Sequence, residues 1–386
     1  MGDPHEWLNR LDHRARLRGE AGLTRTLRAH GPAPDGVTDL AGNDYLGLAH
    51  HPEVVAAATK ALADYGLGAT GSRLVRGSTD DHAALEHAVA ALLQQPKALV
   101  YSSGYLANLG AIKAMAAPRT TILIDAHAHA SLHDGCRLSG APFEVVPHAD
   151  PLALKHAIGQ VGDRPVLVVT ESVFSVDGDL APLAELHEVC RAAGALLLVD
   201  DAHALGVRGP AGAGAVVESG LHGQPDVVVT ATLSKAVGAA GGVVAGPASL
   251  VGHLVDTGRT FIYDTALPPS VAAGALAGIA LLQAADDVRA TLHERAAYVV
   301  RRVRDARLEV SDPAGGVVAI TARDAASAMA WASACAERGV AVGCFRPPST
   351  PDHRSRLRLT INAGIAKTEF ERAVDVVIET APAGSW

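Results

Sequence analysis

Three residues of this chain have the type and spacing for covalent and acid–base chemistry: Lys235, Asp200 and His203. Lys235 ends Thr232-Leu233-Ser234-Lys235 and is followed by Ala-Val-Gly-Ala-Ala-Gly-Gly. It stands between an apolar run, Asp226–Ala231, and a loop of small residues. Lysine is strongly hydrated and normally sits outside. Here it has little surface to cover, so it faces something specific. A sheltered amine with a lowered pKa can form a Schiff base with an aldehyde. The plainer reading is a surface lysine after a strand. Upstream, Ala195–Val199 shows no polar alternation, as in a parallel strand buried on both faces. Asp200 sits at its carboxyl end, where open α/β sheets bind ligands. A carboxylate backed by a buried strand needs a cationic partner. The protonated ring nitrogen of pyridoxal 5′-phosphate (PLP) is such a partner. His203, three residues on, can reach the same ring. The plainer reading is an Asp-Asp-Ala-His turn that caps a helix.

The rest of the sequence must position these groups. The chain has 386 residues, of which 48% are hydrophobic and only 4% aromatic, so the core is mostly Ala, Val and Leu. A net charge of -8 gives no broad basic surface, which argues against nucleic-acid binding. Any anionic substrate must be met by local arginines. Cys136, Cys190, Cys335 and Cys344 show no C-x-x-C spacing. That argues against a zinc ribbon or other metal site and for a reducing, cytoplasmic setting. The polar start Met1-Gly-Asp-Pro-His-Glu-Trp has no apolar signal region, and no uninterrupted run is long enough to span a membrane.

Residues 4–29 read as a charged amphipathic helix with Trp7, Leu8, Leu11, Leu17, Leu23 and Leu27 on one face, ended by Gly31-Pro-Ala-Pro-Asp-Gly. Helices are expected near 52–65 and 81–94. Strands are expected near 97–102, 120–125, 143–147, 165–171, 195–200, 225–231 and 241–246. Helices fit between most of them, at 104–116, 129–139, 150–160 and 182–193. Such alternation predicts a mostly parallel sheet in a three-layer α/β domain. The last two strands have no helix between them, so one is expected to run antiparallel. After Leu267-Pro-Pro-Ser a helical stretch reaches about 308. Strands at 316–321, 340–343 and 355–360, with helices at 323–338 and 367–380, suggest a smaller α+β domain. The expected division is an N-terminal helical segment (1–42), a large domain (43–275) and a small C-terminal domain (276–386).

In their order along the chain these segments resemble the fold-type I PLP enzymes, and among them the α-oxoamine synthases. The resemblance runs from Asn43-Asp-Tyr-Leu-Gly-Leu48 to Arg356-Leu-Arg-Leu-Thr360. It includes Gly71-Ser-Arg-Leu-Val-Arg-Gly77 with His82 and Glu86, Ser102-Ser-Gly-Tyr-Leu-Ala-Asn108 and His129–Ser139. Thr170–Leu183, Phe261-Ile-Tyr-Asp-Thr265 and Arg346-Pro-Pro-Ser-Thr-Pro351 complete it. The family joins an amino acid to an acyl-CoA and releases carbon dioxide. Gly-Ser-Arg-Leu-Val-x-Gly and Arg-Pro-Pro-x-x-Pro resemble the branch that uses L-alanine and pimeloyl-CoA, or pimeloyl-carrier protein, in biotin biosynthesis. Branches using glycine or serine are the alternatives. Another is a non-catalytic binding protein that kept the fold. Ala204 and Ile361-Asn-Ala-Gly364 depart from the usual family pattern and bear on substrate preference.

The resemblance implies roles residue by residue. Lys235 holds the cofactor and then removes the α-proton as general base. Asp200 keeps the cofactor's ring nitrogen protonated. His129 stacks on the ring and contacts substrate, with His127 a decoy nearby. His203 bonds the phenolic oxygen, and Ser175 also contacts the cofactor. Gly104 and Tyr105, where a helix opens after a strand, meet the phosphate. Thr232 donates a hydroxyl to it, and Thr265 reaches it from a neighbouring subunit of a homodimer whose active site lies at the interface. Arg358 clamps the amino-acid carboxylate; the plainer reading of the Arg-Leu-Arg-Leu strand is alternation with its arginines toward solvent, which is expected of the other one. Ser349 and Arg25 contact substrate.

Overall fold

A computed structural model describes residues 4–27, 29–32 and 36–382. Among the described residues eleven strands form two sheets. β1 (Thr38–Leu40), β9 (Val317–Ala322), β10 (Val340–Phe345) and β11 (Ser355–Thr360) build a four-stranded sheet in the order β1-β10-β11-β9. β2 (Lys97–Tyr101), β3 (Thr121–Asp125), β4 (Phe143–Val146), β5 (Val166–Glu171), β6 (Leu196–Asp200), β7 (Val227–Thr232) and β8 (Gly242–Gly246) build a seven-stranded sheet in the order β2-β8-β7-β6-β5-β3-β4. Only β8 runs against its neighbours, as the missing helix between β7 and β8 led one to expect.

Apolar runs without alternation become strands buried on both faces. Ile122, Ile124, Leu167, Val169 and Val228 pack into one apolar cluster. The intervening Leu123, Val168, Val227 and Val229 pack into another on the opposite face. This period of two, with apolar residues at both phases, makes the sheet the middle layer of three. The helices Gly104–Met115 and Ala130–Ser139 pack against each other beside one face, and Leu183–Ala192 lies along β6. The carboxyl ends of β5, β6 and β7 therefore come together, carrying Glu171, Asp200 and Thr232. In the register of β5 and β6, Glu171 lies directly beside Asp200.

Three features differ from the sequence expectations. The first helix spans Pro4–Glu20, not 4–29. Gly22, with φ +65°, ends it: the N–H of Leu23 bonds back to Arg18 O at 2.7 Å, a turn that needs the left-handed conformation. Residue 28 and Ala33–Asp35 of the following turn lie outside the described residues. The apolar face of this helix is uncovered in the single chain: Trp7 is 65% and Leu8 56% exposed. The short strand β1 had no sequence signal of its own and pairs in parallel with β10, so the chain before residue 43 enters the smaller sheet. The helical stretch after Leu267 is two helices, Pro269–Gln283 and Asp286–Asp305, bent by 78° at the Ala284–Ala285 break. Among the described residues no single helix is long and apolar enough to cross a membrane.

Candidate active site

The site forms where the strand ends of the large sheet meet the loops after β1 and β11. Lys235 follows β7 and turns its amine onto His203, with Nζ 2.7 Å from Nε2. The residue keeps some exposure, but the amine is enclosed. Burial lowers its pKa from the ordinary 10.5 to about 8, with Arg358 adding to the drop and Asp200 and Glu171 opposing it. His203 is buried, and its pKa falls well below the ordinary value through burial and then the charges of Lys235, Arg358 and His129.

Asp200 is 6% exposed and has no cationic side chain hydrogen-bonded to it among the described residues. Its Oδ2 accepts Asn108 Nδ2 at 2.7 Å, and its Oδ1 accepts the Ala202 N–H at 3.0 Å. Asn108 also donates to Ser131 Oγ at 2.9 Å. His129 occupies the N-cap of the Ala130–Ser139 helix and accepts the Ser131 N–H on Nδ1 at 3.2 Å. The plain capping geometry is thus realised. The ring nevertheless lies close enough to Asp200, Lys235 and Arg358 for their charges to act on it, and burial lowers its pKa. His127 stacks on His148 instead, at 3.8 Å between centroids.

Ser175 sits in the loop after β5, where its N–H bonds to Glu171 Oε2 at 3.2 Å. Ser103 caps the Gly104–Met115 helix by accepting the Leu106 N–H at 3.2 Å. The N–H groups of Gly104 and Tyr105 are left without an intrahelical acceptor. The backbone there is crowded. A Cβ on Gly104 would stand 3.2 Å from Thr232 Cβ, and one on Gly242 would fall 2.2 Å from Ser103 O. Thr232 Oγ1 donates to Gly241 O at 2.9 Å. Tyr105 is 45% exposed and donates to Asp134 at 2.7 Å. Thr265 is exposed on the turn beside Asp264, where nothing in the single chain connects it to Lys235.

Arg358 is buried on β11, donates to Asn43 Oδ1 at 2.5 Å and lies over the Phe345 ring at 5.1 Å. The expectation that the neighbouring arginine points to solvent is corrected. Arg356 is 5% exposed and held by Asp177 at 2.6 Å and Asp352 at 2.6 Å. Period-two alternation applies, but the sheet is buried on this side too, so Arg356 requires carboxylate partners. Ser349 and Arg25 are exposed and adjacent, Arg25 Nη2 donating to Ser349 Oγ at 2.8 Å. Arg346 ties the same arm down through Thr24 O at 2.7 Å.

Several residues near these groups drew no individual role from the sequence. Asn108 is one; a polar residue inside the apolar Ala107–Ile112 stretch was the available signal. Asn43, Tyr45 and Glu171 lay within noted motifs without a side-chain role. Among the described residues, the buried polar atoms around the site without a partner include Asn108 Oδ1, Glu171 Oε1 and Arg358 Nε. The residues fit PLP. An amine of lowered pKa suits the aldehyde and an unpaired carboxylate suits the ring nitrogen. Free helix-terminal N–H groups beside close-packed glycines suit the phosphate. Among the described residues no cluster of His, Cys, Asp or Glu could hold a metal ion.

Comparison with known proteins places these observations in context. Residues 35–377 match the family model "Aminotransferase class I and II". The chain is 46% identical over 378 residues to the 8-amino-7-oxononanoate synthase of Mycolicibacterium gilvum, covering 97% of each chain. It is 47% identical to that of Mycolicibacterium smegmatis, covering 97% of this chain and 96% of the relative. In three dimensions it matches serine palmitoyltransferase of Sphingomonas wittichii with a TM-score of 0.90, 31% identity and 98% of both chains covered. It matches an 8-amino-7-oxononanoate synthase of Francisella tularensis with a TM-score of 0.77 and 27% identity, covering 89% of this chain and 98% of that one.

Proposed function

The chain belongs to the class I and II aminotransferases and, within them, to the α-oxoamine synthases, and from that membership we propose that it condenses L-alanine with a pimeloyl thioester to give 8-amino-7-oxononanoate. It is a PLP-dependent acyltransferase. The observation that carries the chemistry is the enclosed Lys235 amine, 2.7 Å from His203 Nε2 and beside Asp200.

When bound, PLP supplies an aldehyde to attach the amino acid and a ring that takes up the electron pair left at the α-carbon. The chain's own residues do the rest. Lys235, half neutral near pH 8 and increasingly so above it, takes the α-proton onto Nζ. Asp200 holds the proton on the ring nitrogen, and Asn108 and the Ala202 N–H hold Asp200 in place. Arg358 binds the substrate carboxylate in bidentate fashion, exchanging part of its bond to Asn43. His129 packs on the ring and contacts substrate, and His203 donates toward the phenolic oxygen. Ser175 contacts the cofactor, while Gly104, Tyr105 and Thr232 hold the phosphate. The α-carbon attacks the thioester carbonyl, the C–S bond breaks and the thiolate leaves. The carboxylate is then lost as carbon dioxide, and the α-carbon is reprotonated from Lys235.

Arg25 and Ser349 form the outer wall where the acyl chain enters. The large cofactor-binding part spans 43–275 and the small part 276–386, with β1 lent to the latter by the N-terminal segment. The enzyme works as a cytoplasmic homodimer in biotin biosynthesis. The uncovered face of the Pro4–Glu20 helix and the exposed Thr265 turn support a second subunit that completes the phosphate site.

A second reading, serine with a long acyl-CoA, is favoured by the TM-score of 0.90 to serine palmitoyltransferase. The test is to supply alanine, glycine or serine with acyl-CoAs of several lengths and measure CoA release with mass detection of product. Release selective for alanine and pimeloyl-CoA is expected. Release with serine and a long acyl-CoA would transfer the chain to the second reading. Condensation by Lys235→Ala at the parent rate would refute the mechanism.

A further inference from the structure

Behind His203 lies a group that none of the roles above uses. Tyr45 is fully buried, and its hydroxyl is 2.6 Å from His203 Nδ1. The opposite ring nitrogen, Nε2, faces Lys235 at 2.7 Å. We propose that Tyr45 is a positioning residue that fixes the tautomer of His203: its O–H donates to Nδ1, so the ring proton sits on Nε2 and faces Lys235 and the cofactor.

The phenol has two acceptors in reach, and distance decides between them. Nδ1 is at 2.6 Å and Asn43 Oδ1 at 3.5 Å. Hydroxyl donors prefer roughly 2.5–3.0 Å, so the contact to Asn43 is too long to compete. Asn43 Oδ1 is also taken at 2.5 Å by Arg358, a group that can only donate. Arg358 also acts on the phenol, lowering its pKa against the larger effect of burial. The phenol's proton then goes to His203. Burial pushes the Tyr45 pKa up to about 12, so that proton is present throughout the working pH range.

A neutral imidazole donates from one nitrogen and accepts at the other. Burial and the charges of Lys235, Arg358 and His129 keep His203 neutral. With Nδ1 accepting from Tyr45, Nε2 must donate. A donor at Nε2 suits an uncharged lysine amine or the phenolate oxygen of the cofactor. It opposes an ammonium in the same place. The groups acting on that amine are Asp200, Glu171 and Arg358, and none of them touches Nε2.

The scaffold holds the phenol from the smaller sheet. The Ala363 N–H bonds to Tyr45 O at 2.9 Å. A Cβ on Gly316 would stand 2.6 Å from the Tyr45 ring, so the ring lies flush on backbone beside β9. The side chain thus carries the position of the smaller sheet into the protonation pattern of a residue on the larger one.

The inference rests on the PLP site and not on the choice of acyl donor, and its test needs no turnover. Nitrogen-15 NMR of histidine-labelled holoenzyme, with His203 assigned by loss of its signals in His203→Asn, distinguishes a protonated ring nitrogen from a bare one. The expected result is a bare, hydrogen-bonded Nδ1 and a protonated Nε2. In Tyr45→Phe the bias falls by about one neutral hydrogen bond, roughly a fivefold change in tautomer ratio. The pH midpoint of the bound cofactor's visible absorbance should then rise by roughly half a unit to one unit, because the donor to its oxygen is weakened. A protonated Nδ1 in the parent would overturn the proposal, as would an unchanged ratio and midpoint in Tyr45→Phe. If Tyr45→Phe does not fold, neutron diffraction of parent holoenzyme crystals decides it by showing which ring nitrogen carries the deuteron.

Discussion

The pH dependence of cofactor loading tests the environment of Lys235 directly. Only the neutral amine can attack the aldehyde, so the loading rate follows the neutral fraction. With the pKa at about 8, roughly a tenth of the amines are neutral at pH 7. With the ordinary 10.5, the fraction would be on the order of 3 in 10,000. Loading of cofactor-free protein with PLP, followed by absorbance in stopped flow, should therefore rise about tenfold between pH 7 and pH 9 and then level off. A rate that kept climbing tenfold per pH unit to pH 10 would refute the argument that burial dominates. The same shift has a stability consequence. A lysine whose folded pKa is depressed costs stability below the folded pKa, and the cost fades as pH rises toward the unfolded value. The difference between 10.5 and about 8 corresponds to on the order of 3 kcal/mol at most, present in full below about pH 8 and gone by about pH 10.5. Lys235→Met should thus stabilise the cofactor-free protein by up to that amount at pH 7 in urea unfolding, while abolishing condensation. A destabilised Lys235→Met would mean that the amine is not crowded but bound.

Three further outcomes are expected. Arg358→Gln should raise KM for the amino acid by roughly 30- to 160-fold, the size of a charge-assisted bond of about 2–3 kcal/mol, and should also raise the loading midpoint of Lys235, since Arg358 depresses it; an unchanged KM in steady-state assays would remove Arg358 from the substrate site. Gly242→Ala should weaken PLP binding at least tenfold by equilibrium dialysis, because the added methyl meets Ser103 O and Gly104 N at 2.2 and 2.6 Å and must push the phosphate cradle apart. Arg356→Ala should destabilise the protein by about 3–5 kcal/mol in chemical denaturation, since it leaves Asp177 and Asp352 facing each other without their shared cation; a change below about 1 kcal/mol would mean that the pair is effectively solvated.

The large sheet was legible because its strands carry apolar residues at both phases of the pleat and are punctuated by Gly, Pro and Asp. β2 through β8 all fall within two residues of where that pattern places them. The smaller sheet was legible at β9, β10 and β11, each of which begins within one residue of its expected start. It was not legible at β1, where three residues with one exposed position carry no periodicity and become a strand only because β10 offers an open edge. The first helix was overextended because leucine spacing continues past Gly22, and a single backbone conformation overrides it. Lys235, Asp200 and His203 could be picked out by type and position, since a lysine among small residues and an aspartate at the end of an apolar strand are each anomalous. Tyr45, Asn43 and Asn108 could not be given roles that way. Each owes its place to a contact across more than 90 residues of chain, and no local pattern encodes which atom of His203 or Asp200 it meets.

The pairing of Glu171 with Asp200 explains why so many buried groups crowd this site without neutralising one another. The two carboxyls sit side by side at the ends of β5 and β6. Two like charges at that spacing in a buried setting cannot both be held cheaply. The surroundings separate their roles. Asp200 receives a side-chain donor from Asn108 and the Ala202 N–H, one on each oxygen. Glu171 is more fully buried, and burial and the charge of Asp200 push its pKa well above the usual range, despite bonds from the His129 and Ser175 backbone. Asp200 thus faces the place of the cofactor's ring nitrogen, while Glu171 beside it is biased toward its protonated form and accepts from the two loops that carry His129 and Ser175. A fully ionised Glu171 would raise the Lys235 pKa and work against its burial, so the upward shift of Glu171 and the downward shift of Lys235 favour each other.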